Sequence, residues 1–504
     1  MTRSLKSKWW VLFSLTFGLL AVGLDMTILN VALPTLATDL EAPTSRLQWI
    51  LDSYNLVLAA MLLPAGMLGD RFGRKTFLLL ALLLFGGASA GCAYAASTGM
   101  LIFMRSLLGL GAAFLIPLSV SVLPVLFEGP ERTKAMMVWA SANMLGIPLG
   151  PILGGWLLNH YSWGSVFLIN LPLIVIALIA VGLLMPESRS ELRLKLDVVG
   201  VVSSSLGLTA VTFGVIRAGE HGWGDSLTLA TLLTGFIILA IFVLWERRTE
   251  HPLIDLSLFR SRRFTWGTLL ATCVSFALFG LLFVMPQYFQ AVNGADALGT
   301  GLRLLPMIGG MLVGAKSSDL LLKKLSARAV VALGFALMAA ALLLGTATDT
   351  GSTYGYAALW ITIAGLGLGF ALPISMDLAI GALSAERSGV GSALVMALRQ
   401  VGGAVGVALL GSALNSAYRN GLRLDGLPAE AAAGVRQSAS AGAAIASRLG
   451  SADLLGMVRT AFVQGMQHML WICAGIAVVG TLLAIIFLPR HTAEPAAKPQ
   501  KLSS

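Results

Sequence analysis

The chain has 504 residues, of which 57% are hydrophobic and only 12% are charged. Soluble domains contain about 45–50% apolar and about 25% charged residues, so a soluble globular protein is excluded. Its apolar runs reach about 20 residues, the length of helix that crosses ~30 Å of hydrocarbon. Membrane barrels would instead give alternating segments of about ten residues. We therefore predict an all-α polytopic membrane protein that resides in a lipid bilayer.

The apolar runs predict fourteen transmembrane helices in the order six, two, six. We expect the spans near residues 9–33, 49–69, 76–96, 98–124, 135–158, 163–185, 197–217, 226–245, 264–289, 301–320, 327–346, 354–382, 388–415 and 467–488. This pattern divides the chain into an N-terminal six-helix bundle (1–185), a linker with two additional helices (186–263) and a C-terminal six-helix bundle (264–489). The last residues, 490–504, are predicted to form a disordered tail.

The placement of Lys and Arg predicts the orientation in the membrane. The formal net charge is +10, but most basic residues lie at the two ends of the chain and in alternate short loops. The opposite short loops hold little beyond Arg46 and Arg217. This distribution argues against a nucleic-acid partner. By the positive-inside rule, both termini are cytoplasmic, and we expect a multi-pass monomer in a bacterial cytoplasmic (inner) membrane.

One long loop, residues 416–467, falls on the outer side. It is rich in Ala, Gly and Ser and carries several arginines. Long loops are translocated largely regardless of charge, so these arginines do not overturn the orientation. Two interpretations stay open: the segment forms surface helices or a lid, or it is loosely ordered.

The loop after the second span, residues 66–75, reads GMLGDRFGRK. Its glycines permit a tight turn and a close helix approach, and Asp70 can accept hydrogen bonds from helix N-termini or pair with arginines. A Walker loop would need a glycine spacing that is absent here and elsewhere, which disfavours an ATP-driven pump. The spacing resembles the cytoplasmic signature of the major facilitator superfamily position by position. The resemblance implies a cytoplasmic gating motif formed by Gly66, Asp70, Arg71, Gly73 and Arg74.

The fifth span contains GIPLGPILGG at residues 146–155. Glycines four residues apart let helices approach closely, and two prolines bend the axis, so the stretch is at least a packing seam. It also resembles the antiporter motif of exporters in the same superfamily, which implies efflux. The residues of that motif are Gly146, Gly150, Pro151, Gly154 and Gly155.

Further stretches narrow the resemblance. They are LDMTILNVALP (24–34), WILDSY (49–54) and RQVGGAVG (399–406). They are similar to the drug:proton antiporter family with fourteen spans, especially to its quaternary-ammonium and multidrug exporters, and the similarity runs over the whole chain. It implies two six-helix bundles, with the two inserted helices packed outside the transport core.

Charges inside the spans are expensive, so each one is a functional candidate. Asp25 in the first span and Arg105 in the fourth are expected to face each other across the bundle interior. Burial and a neighbouring arginine act on a carboxyl proton in opposite senses, so the arrival of a substrate can tip the balance and release the proton. A purely structural ion pair is the alternative. The stretch LIFMRSLLG (101–109) resembles the fourth-span motif of this family, and the resemblance implicates its arginine, Arg105, in proton transfer.

Three more charged residues are candidates for proton coupling or substrate binding. Asp52 lies near the outer mouth of the second span. Arg399 lies near the centre of the thirteenth span and needs a carboxylate or carbonyl partner. Asp377 is the candidate partner if the twelfth span brings it close, and Arg399 is otherwise expected at an inner gate or interface.

Several uncharged side chains are candidates for lining a drug cavity, because flat, polarizable surfaces accept varied shapes. They are Met26, Asn30, Trp49 and Tyr54. Packing or an interfacial position is the alternative for each. The three cysteines, Cys92, Cys273 and Cys473, all fall within spans, where a packing role is expected, and no cofactor or metal is predicted beyond a proton gradient.

We therefore expect a proton-coupled antiporter that exports amphipathic or cationic drugs, dyes or antiseptics from the cytoplasm by alternating access. Export of one endogenous metabolite, antibiotic, peptide or lipid is the alternative within transport. A membrane enzyme would need a convergent nucleophile, acid/base pair or metal cluster, and the sequence offers none. A membrane sensor that does not transport is the third hypothesis.

Overall fold

The structure, a computed structural model, describes residues 5–40, 44–189, 197–249, 252–383, 388–424 and 427–489. This described part is helical and contains no β-strand. Its α-helices are α1 (Leu5–Asp39), α2 (Thr44–Phe72), α3 (Arg74–Ala93), α4 (Thr98–Ser121), α5 (Leu123–Leu126), α6 (Gly129–His160), α7 (Ser165–Leu168), α8 (Asn170–Leu184), α9 (Val198–His221), α10 (Ser226–Glu246), α11 (Arg262–Gln287), α12 (Ala297–Leu322), α13 (Ala327–Gly345), α14 (Tyr354–Ile380), α15 (Ser388–Gly421), α16 (Ala429–Gln437), α17 (Ala439–Arg448) and α18 (Ala452–Phe487). A 3₁₀ turn (Leu256–Arg260) precedes α11, and a π-helical turn (Tyr288–Val292) follows it. The predicted tail, 490–504, lies outside the described residues.

Many helices begin where the sequence supplies a short polar side chain. In each case the side-chain oxygen accepts a hydrogen bond from the backbone N–H three residues on, which satisfies one of the donors that a helix start leaves unpaired. The capping residues are Ser97, Asp197, Asp225, Ser261, Asp296, Ser326, Thr353 and Ser451. The capping residues lie at or near the starts of the apolar runs. The helices therefore begin close to where the predicted spans begin.

Thirteen helical segments of the described part are long and apolar enough to cross a membrane. The helix that corresponds to the predicted fifth span, α6, is not among them, but its 32 residues would extend about 48 Å, well beyond the ~30 Å of a hydrocarbon core. It also packs lengthwise against α1. The predicted all-α membrane fold is confirmed.

The helices form two bundles with the same internal packing. One contains α1 to α8 and the other contains α11 to α15 with α18. In the first bundle, the first span packs against the fifth (α1 on α6) and the second against the fourth (α2 on α4). In the second bundle, α11 packs on α15 and α12 on α14 in the equivalent way.

Between the two bundles, α6 packs against α12, and α2 against α15. We call the membrane face that holds Lys8, Arg74 and Arg132 the basic face, and the other the opposite face. The pairs α6–α12 and α2–α15 form most of the interface between the two bundles.

The segment predicted as a long loop, 416–467, is largely helical. Helix α15 continues to Gly421, and α18 begins at Ala452 rather than near residue 467. The Tyr418 hydroxyl donates a 2.8 Å hydrogen bond to the carbonyl of Val435, a fully buried residue, and α17 packs on α18. The small residues that made the segment look like a loop instead permit this close helix docking.

The two inserted helices have different environments. Helix α10 exposes a large apolar surface, whereas α9 packs against both α2 and α15. Only α10 thus lies outside the core as expected.

On the opposite face, Asp225 caps α10 and accepts a 2.8 Å hydrogen bond from Arg217 Nε, which lowers the pKa of Asp225 to about 2. This carboxylate therefore stays charged at physiological pH, which excludes it as a proton carrier.

The seam between α6 and α1 depends on glycines of the predicted antiporter motif. A Cβ atom at Gly146 would lie 2.7 Å from the Cα of Gly23, and one at Gly150 would collide with Thr27. At Gly154 the obstacle would be the side chain of Ile28. The two helices can approach this closely only because these positions carry no side chain.

We expect Gly146→Ala to lower the melting temperature of the purified protein by several degrees, because its methyl group meets backbone that cannot move aside. Overpacking of this kind costs about 1–3 kcal/mol. The matched control is Gly475→Ala in α18, where an added Cβ meets nothing within 4 Å. Thermal unfolding monitored by size-exclusion chromatography measures both, and equal melting temperatures would contradict the packing role of Gly146.

Candidate functional site

The two predicted charges inside the first bundle meet in the structure. Arg105 Nη1 on α4 donates a hydrogen bond to Asp25 Oδ2 on α1 at 2.5 Å. Asp25 is fully buried and Arg105 is 2% exposed. Two isolated charges would be unstable at this depth, so each one requires the other.

Further contacts hold the arginine in place. Its Nε donates to the carbonyl oxygen of Ile50 at 3.2 Å, and its guanidinium carbon lies 4.5 Å from the centre of the Tyr54 ring. The second carboxylate oxygen of Asp25, Oδ1, is buried and has no hydrogen-bond partner among the described residues. This oxygen is therefore a position at which the carboxylate can accept a proton.

Arg105 and Tyr54 border a cavity of 470 Å³ between the two bundles. Its wall comes from α1, α2 and α4 on one side and from α11 and α15 on the other, and α9 closes it laterally. The volume lies within the range of about 300–1,000 Å³ that is typical of small-molecule sites. The cavity extends from Arg105, the partner of Asp25, towards the opposite face, where Asp52 and Asn415 line it.

The predicted cavity residues have different positions. Met26 and Tyr54 line the cavity, as does Asp52, which was a candidate for proton coupling or substrate binding. Trp49 does not line it and is 49% exposed at the start of α2, so its environment is that of an interfacial tryptophan. The side chain of Asn30 lies outside the described part of the structure.

The second-bundle wall was missed by sequence reasoning. It consists of Phe279 and Phe283 on α11 and of Gln400, Gly403, Ala404, Val407, Ala408, Gly411 and Asn415 on α15. The α15 positions recur every three or four residues and therefore share one helix face. The sequence signal for this wall is a stripe of mostly small residues on one face of α15, which begins at the amide of Gln400 and ends at the amide of Asn415. Thr212, Val215 and Ile216 of α9 had no comparable signal, because nothing in their sequence places α9 beside the bundles.

Arg399 lies beside a smaller cavity of 50 Å³, which shares Met26, Phe279 and Gln400 with the larger one. Its Nε donates to Ser275 Oγ at 3.0 Å, and its Nη1 is within 3.7 Å of the sulfur of Met376. The structure shows no ion pair between Arg399 and a described carboxylate. Arg399 thus brings a positive charge to the second-bundle side of the interface.

The structure does not bring Asp377, the conditional candidate partner, to Arg399. Asp377 lies three residues before the end of α14, at the basic face, and its carboxylate accepts from Arg132 Nε at 2.7 Å and from Thr133 Oγ1 at 2.9 Å. Both partners belong to α6 in the other bundle. Asp377 therefore joins the bundles rather than balancing a charge at the membrane centre.

A second connection between the bundles is made by the predicted gating motif. Asp70 at the end of α2 is fully buried and accepts from Arg74 Nε and Nη2 at 2.9 and 2.6 Å. It also accepts from the backbone N–H groups of Gly389 and Val390, each at 3.0 Å, at the start of α15. The carboxylate thus occupies the positive end of a helix from the other bundle.

Two glycines of the motif allow this geometry. A Cβ at Gly66 would lie 2.5 Å from the carbonyl oxygen of Gly389, so only glycine lets α2 and α15 touch there. Gly73 joins α2 to α3 with a φ of 123°, a conformation that favours glycine. Arg71, the remaining motif residue, lies over the ring of Phe72 at 5.1 Å.

Sequence reasoning missed a residue that fixes the motif in place. The Glu187 carboxylate accepts from the backbone N–H groups of Lys75 and Thr76 at 3.0 and 3.1 Å, at the start of α3. It also accepts from the Thr76 hydroxyl at 2.7 Å. Glu187 lies over a hundred residues away in the sequence, in a linker that offers only its charge as a signal.

Residues 15–407 match the sequence profile of the Major Facilitator Superfamily, a stretch that covers well over half of the chain. The chain belongs to this superfamily. The resemblance read from its motifs is thereby confirmed at the level of the family.

Curated relatives in this superfamily include drug-resistance proteins. The chain is 34% identical to the tetracenomycin C resistance and export protein of Streptomyces glaucescens over 404 residues, which cover 80% of this chain and 75% of the relative. It is 32% identical to the multidrug efflux pump LfrA of Mycolicibacterium smegmatis over 495 residues, covering 96% and 95%. It is 31% identical to the methyl viologen resistance protein SmvA of Salmonella typhimurium over 440 residues, covering 87% and 88%.

Solved structures share the superfamily fold. The crystal structure of the human organic anion transporter MFSD10 superimposes with a TM-score of 0.61 at 16% identity and covers 95% of this chain and 99% of that one. A bacterial homologue of the human lysosomal transporter Spinster, crystallised inward-facing and unoccupied, gives a TM-score of 0.58 at 16% identity, covering 96% and 98%. At this identity the likeness shows the fold alone.

We expect Asp70→Asn to weaken the closure at the basic face, because the amide loses the charge that binds Arg74 and the α15 N-terminus. Hydrogen bonds to charged groups contribute about 1.5–3 kcal/mol each. Nitroxide labels at Glu128→Cys and Lys324→Cys, with the native cysteines replaced, report the separation of the bundles by pulsed electron paramagnetic resonance. The distance distribution should gain a longer component in Asp70→Asn.

The control for this measurement is Asp225→Asn, which breaks an ion pair that lies within the inserted hairpin. It should leave the distribution unchanged. An unchanged distribution in Asp70→Asn as well would mean that Asp70 does not hold the bundles together.

Proposed function

We propose that the protein exports amphipathic or cationic drugs, dyes or antiseptics from the cytoplasm in exchange for protons, by alternating access. The observation that carries this proposal is the buried Asp25–Arg105 pair at the border of a large cavity between two bundles. The names of the relatives, a multidrug efflux pump and two resistance proteins, support the direction and the kind of cargo.

The orientation follows from the distribution of positive charge. Basic residues concentrate at the face where α1 begins and α18 ends, and short cytoplasmic loops are the ones enriched in Lys and Arg. The basic face is then the cytoplasmic face of a bacterial inner membrane. In this orientation, the contacts of Asp70 and Asp377 close the cytoplasmic side, and the 470 Å³ cavity belongs to an outward-facing state.

The coupling step rests on the geometry of Arg105. In the outward-facing state, a proton that binds Asp25 Oδ1 neutralises the carboxylate and leaves the arginine without its counter-ion. The uncompensated guanidinium, which borders the cavity, then repels a cationic substrate outwards. After the bundles reorient, a new cation favours the charged carboxylate, and the proton leaves to the cytoplasm.

The pH difference supplies work for this exchange when one proton enters for each monovalent cation that leaves, because no net charge then crosses the membrane. A difference of one pH unit is worth about 1.4 kcal/mol, which is a tenfold bias. The membrane potential adds about 2.3 kcal/mol per 100 mV for each positive charge by which the protons exceed the cargo.

The cavity wall suits a flat cation that has a large apolar surface. Tyr54, Phe279 and Phe283 offer aromatic faces, and Met26 offers a polarizable side chain. Such surfaces attract cations and accept varied shapes. Asp52 supplies a carboxylate at the outer part of the same wall.

Export of a single natural antibiotic is the second candidate. One observation favours it, which is that a relative at 34% identity is a tetracenomycin C resistance and export protein. The same cavity and the same proton-coupling pair would serve that function. A profile of transported compounds distinguishes the two, because a dedicated exporter would move one of them and ignore simple dye cations.

We expect Asp25→Asn to abolish proton-driven transport of a cationic dye, because the amide cannot exchange a proton. The assay uses inverted membrane vesicles with an imposed pH gradient and measures dye uptake and the accompanying proton efflux. Both should fall at least about tenfold, the usual scale for loss of a positioned proton-transfer group being 10²–10⁴.

The control is Asp349→Asn, an exposed carboxylate in the turn between α13 and α14 that bonds Ser352 and the backbone of Gly351. Its transport should equal that of the wild type. Dye uptake that requires ATP and does not depend on the pH gradient would overturn the antiporter proposal. Dye uptake by Asp25→Asn with wild-type proton efflux would show that Asp25 does not couple the two.

We expect Ala404→Phe to reduce transport of bulky cations more than that of small ones, because the new ring occupies part of the cavity. A steric conflict of about 1–3 kcal/mol would weaken the binding of a large dye roughly tenfold. The control is Leu409→Phe on the same helix, where the side chain is 42% exposed and lies outside the cavity wall. Equal transport profiles of the two variants would show that substrates do not occupy this cavity.

A further inference from the structure

A second large hollow lies at the other interface between the bundles. It has a volume of 510 Å³ and is formed by α1, α6 and α12, and its wall shares no residue with the central cavity. We call it the lateral groove and define it by Trp9, Phe13, Lys134, Val138, Leu312 and Lys316. It occupies the half of the molecule near the basic face, because these residues lie near the starts of α1 and α6 and near the end of α12.

The groove opens towards the surrounding lipid. Phe13 is 52% exposed and Val138 is 40% exposed, although both are apolar. Aromatic and aliphatic side chains therefore form a cleft into which a hydrocarbon chain can pack without displacing any protein contact.

The groove also carries charge at its polar end. Lys316 lies six residues before the end of α12, is exposed, and has no hydrogen bond or ion pair with any residue that the structure describes. Lys134 has a 3.6 Å contact with Asp319, and its side chain stays 46% exposed. Two lysines thus face one carboxylate, which leaves an excess positive charge where the groove meets the headgroup region.

An amine at this depth needs an anion. A lysine about 9 Å inside the end of a membrane helix extends its side chain towards the lipid phosphates, because a charge in hydrocarbon is costly. Half-buried Lys8, beside Trp9 at the start of α1, adds to the positive charge on this side. The combination of an apolar cleft with a cationic end matches a lipid with an anionic headgroup and would repel a cationic substrate.

We propose that the lateral groove binds an anionic phospholipid from the leaflet at the basic face, with its phosphate at Lys316 and Lys134 and one acyl chain between α1, α6 and α12. Because α6 and α12 belong to different bundles, the lipid bridges them and stabilises the arrangement in which they meet.

The test is the thermal stability of the purified protein in an uncharged detergent, titrated with phosphatidylglycerol or with phosphatidylcholine of the same chains. Phosphatidylglycerol should raise the melting temperature at lower concentrations than phosphatidylcholine. In Lys316→Gln the half-saturating concentration of phosphatidylglycerol should rise about fivefold, whereas Lys316→Arg should retain the preference. Lys316→Gln removes no contact seen within the described residues, so the variant is expected to fold.

Two further variants test the headgroup contact and the acyl-chain contact separately. Lys323→Gln, on the exposed turn after α12, should behave as the wild type. Val138→Trp, which fills the cleft, should weaken the effect of the lipid while leaving the lysines in place. Any of three results would overturn the proposal. The two lipids could stabilise the wild type equally, Lys316→Gln could leave the phosphatidylglycerol titration unchanged, or glycerol 3-phosphate alone could give the same stabilisation.

Discussion

The organisation of this transporter depends on the cost of placing charge inside a bilayer. An ionised side chain at the centre of a membrane helix costs about 3 kcal/mol on insertion scales, and more when it is isolated. The fold meets this cost at one place in the first bundle, where Asp25 and Arg105 form a fully buried pair. The central cavity ends at the arginine of this pair, and Tyr54 and the carbonyl of Ile50 fix that arginine in place.

The same electrostatic logic recurs at the basic face. There the carboxylates of Asp70 and Asp377 each accept donors from the opposite bundle, one from the N-terminus of α15 and the other from α6. These contacts are polar and involve few residues, whereas α1 and α6 pack closely along the glycine seam within the first bundle. In the alternating-access cycle proposed above, the polar contacts would open and re-form while the first bundle moves as a unit.

Much of this could be predicted from the sequence. Hydropathy located nearly every span, and the scarcity of charged residues within the spans identified Asp25 and Arg105. The failures have physical causes. The partner of Asp377 depends on how α6 meets α14, which no local pattern encodes, and Glu187 acts over a hundred residues away from the loop it caps. The small residues of 416–467 suggest a loop equally well as close helix packing. The position of α9 in the cavity wall follows from tertiary packing alone.

The central claim, that Asp25 exchanges a proton against the substrate, is tested most directly by proton release from the purified protein. A cationic dye is added to the protein in weakly buffered detergent solution, and the pH change is recorded together with dye binding. Our account predicts that the wild type releases protons as it binds the dye, and that Asp25→Asn binds the dye without releasing any. Equal proton release by the two proteins, or dye binding by the wild type without any release, would contradict it.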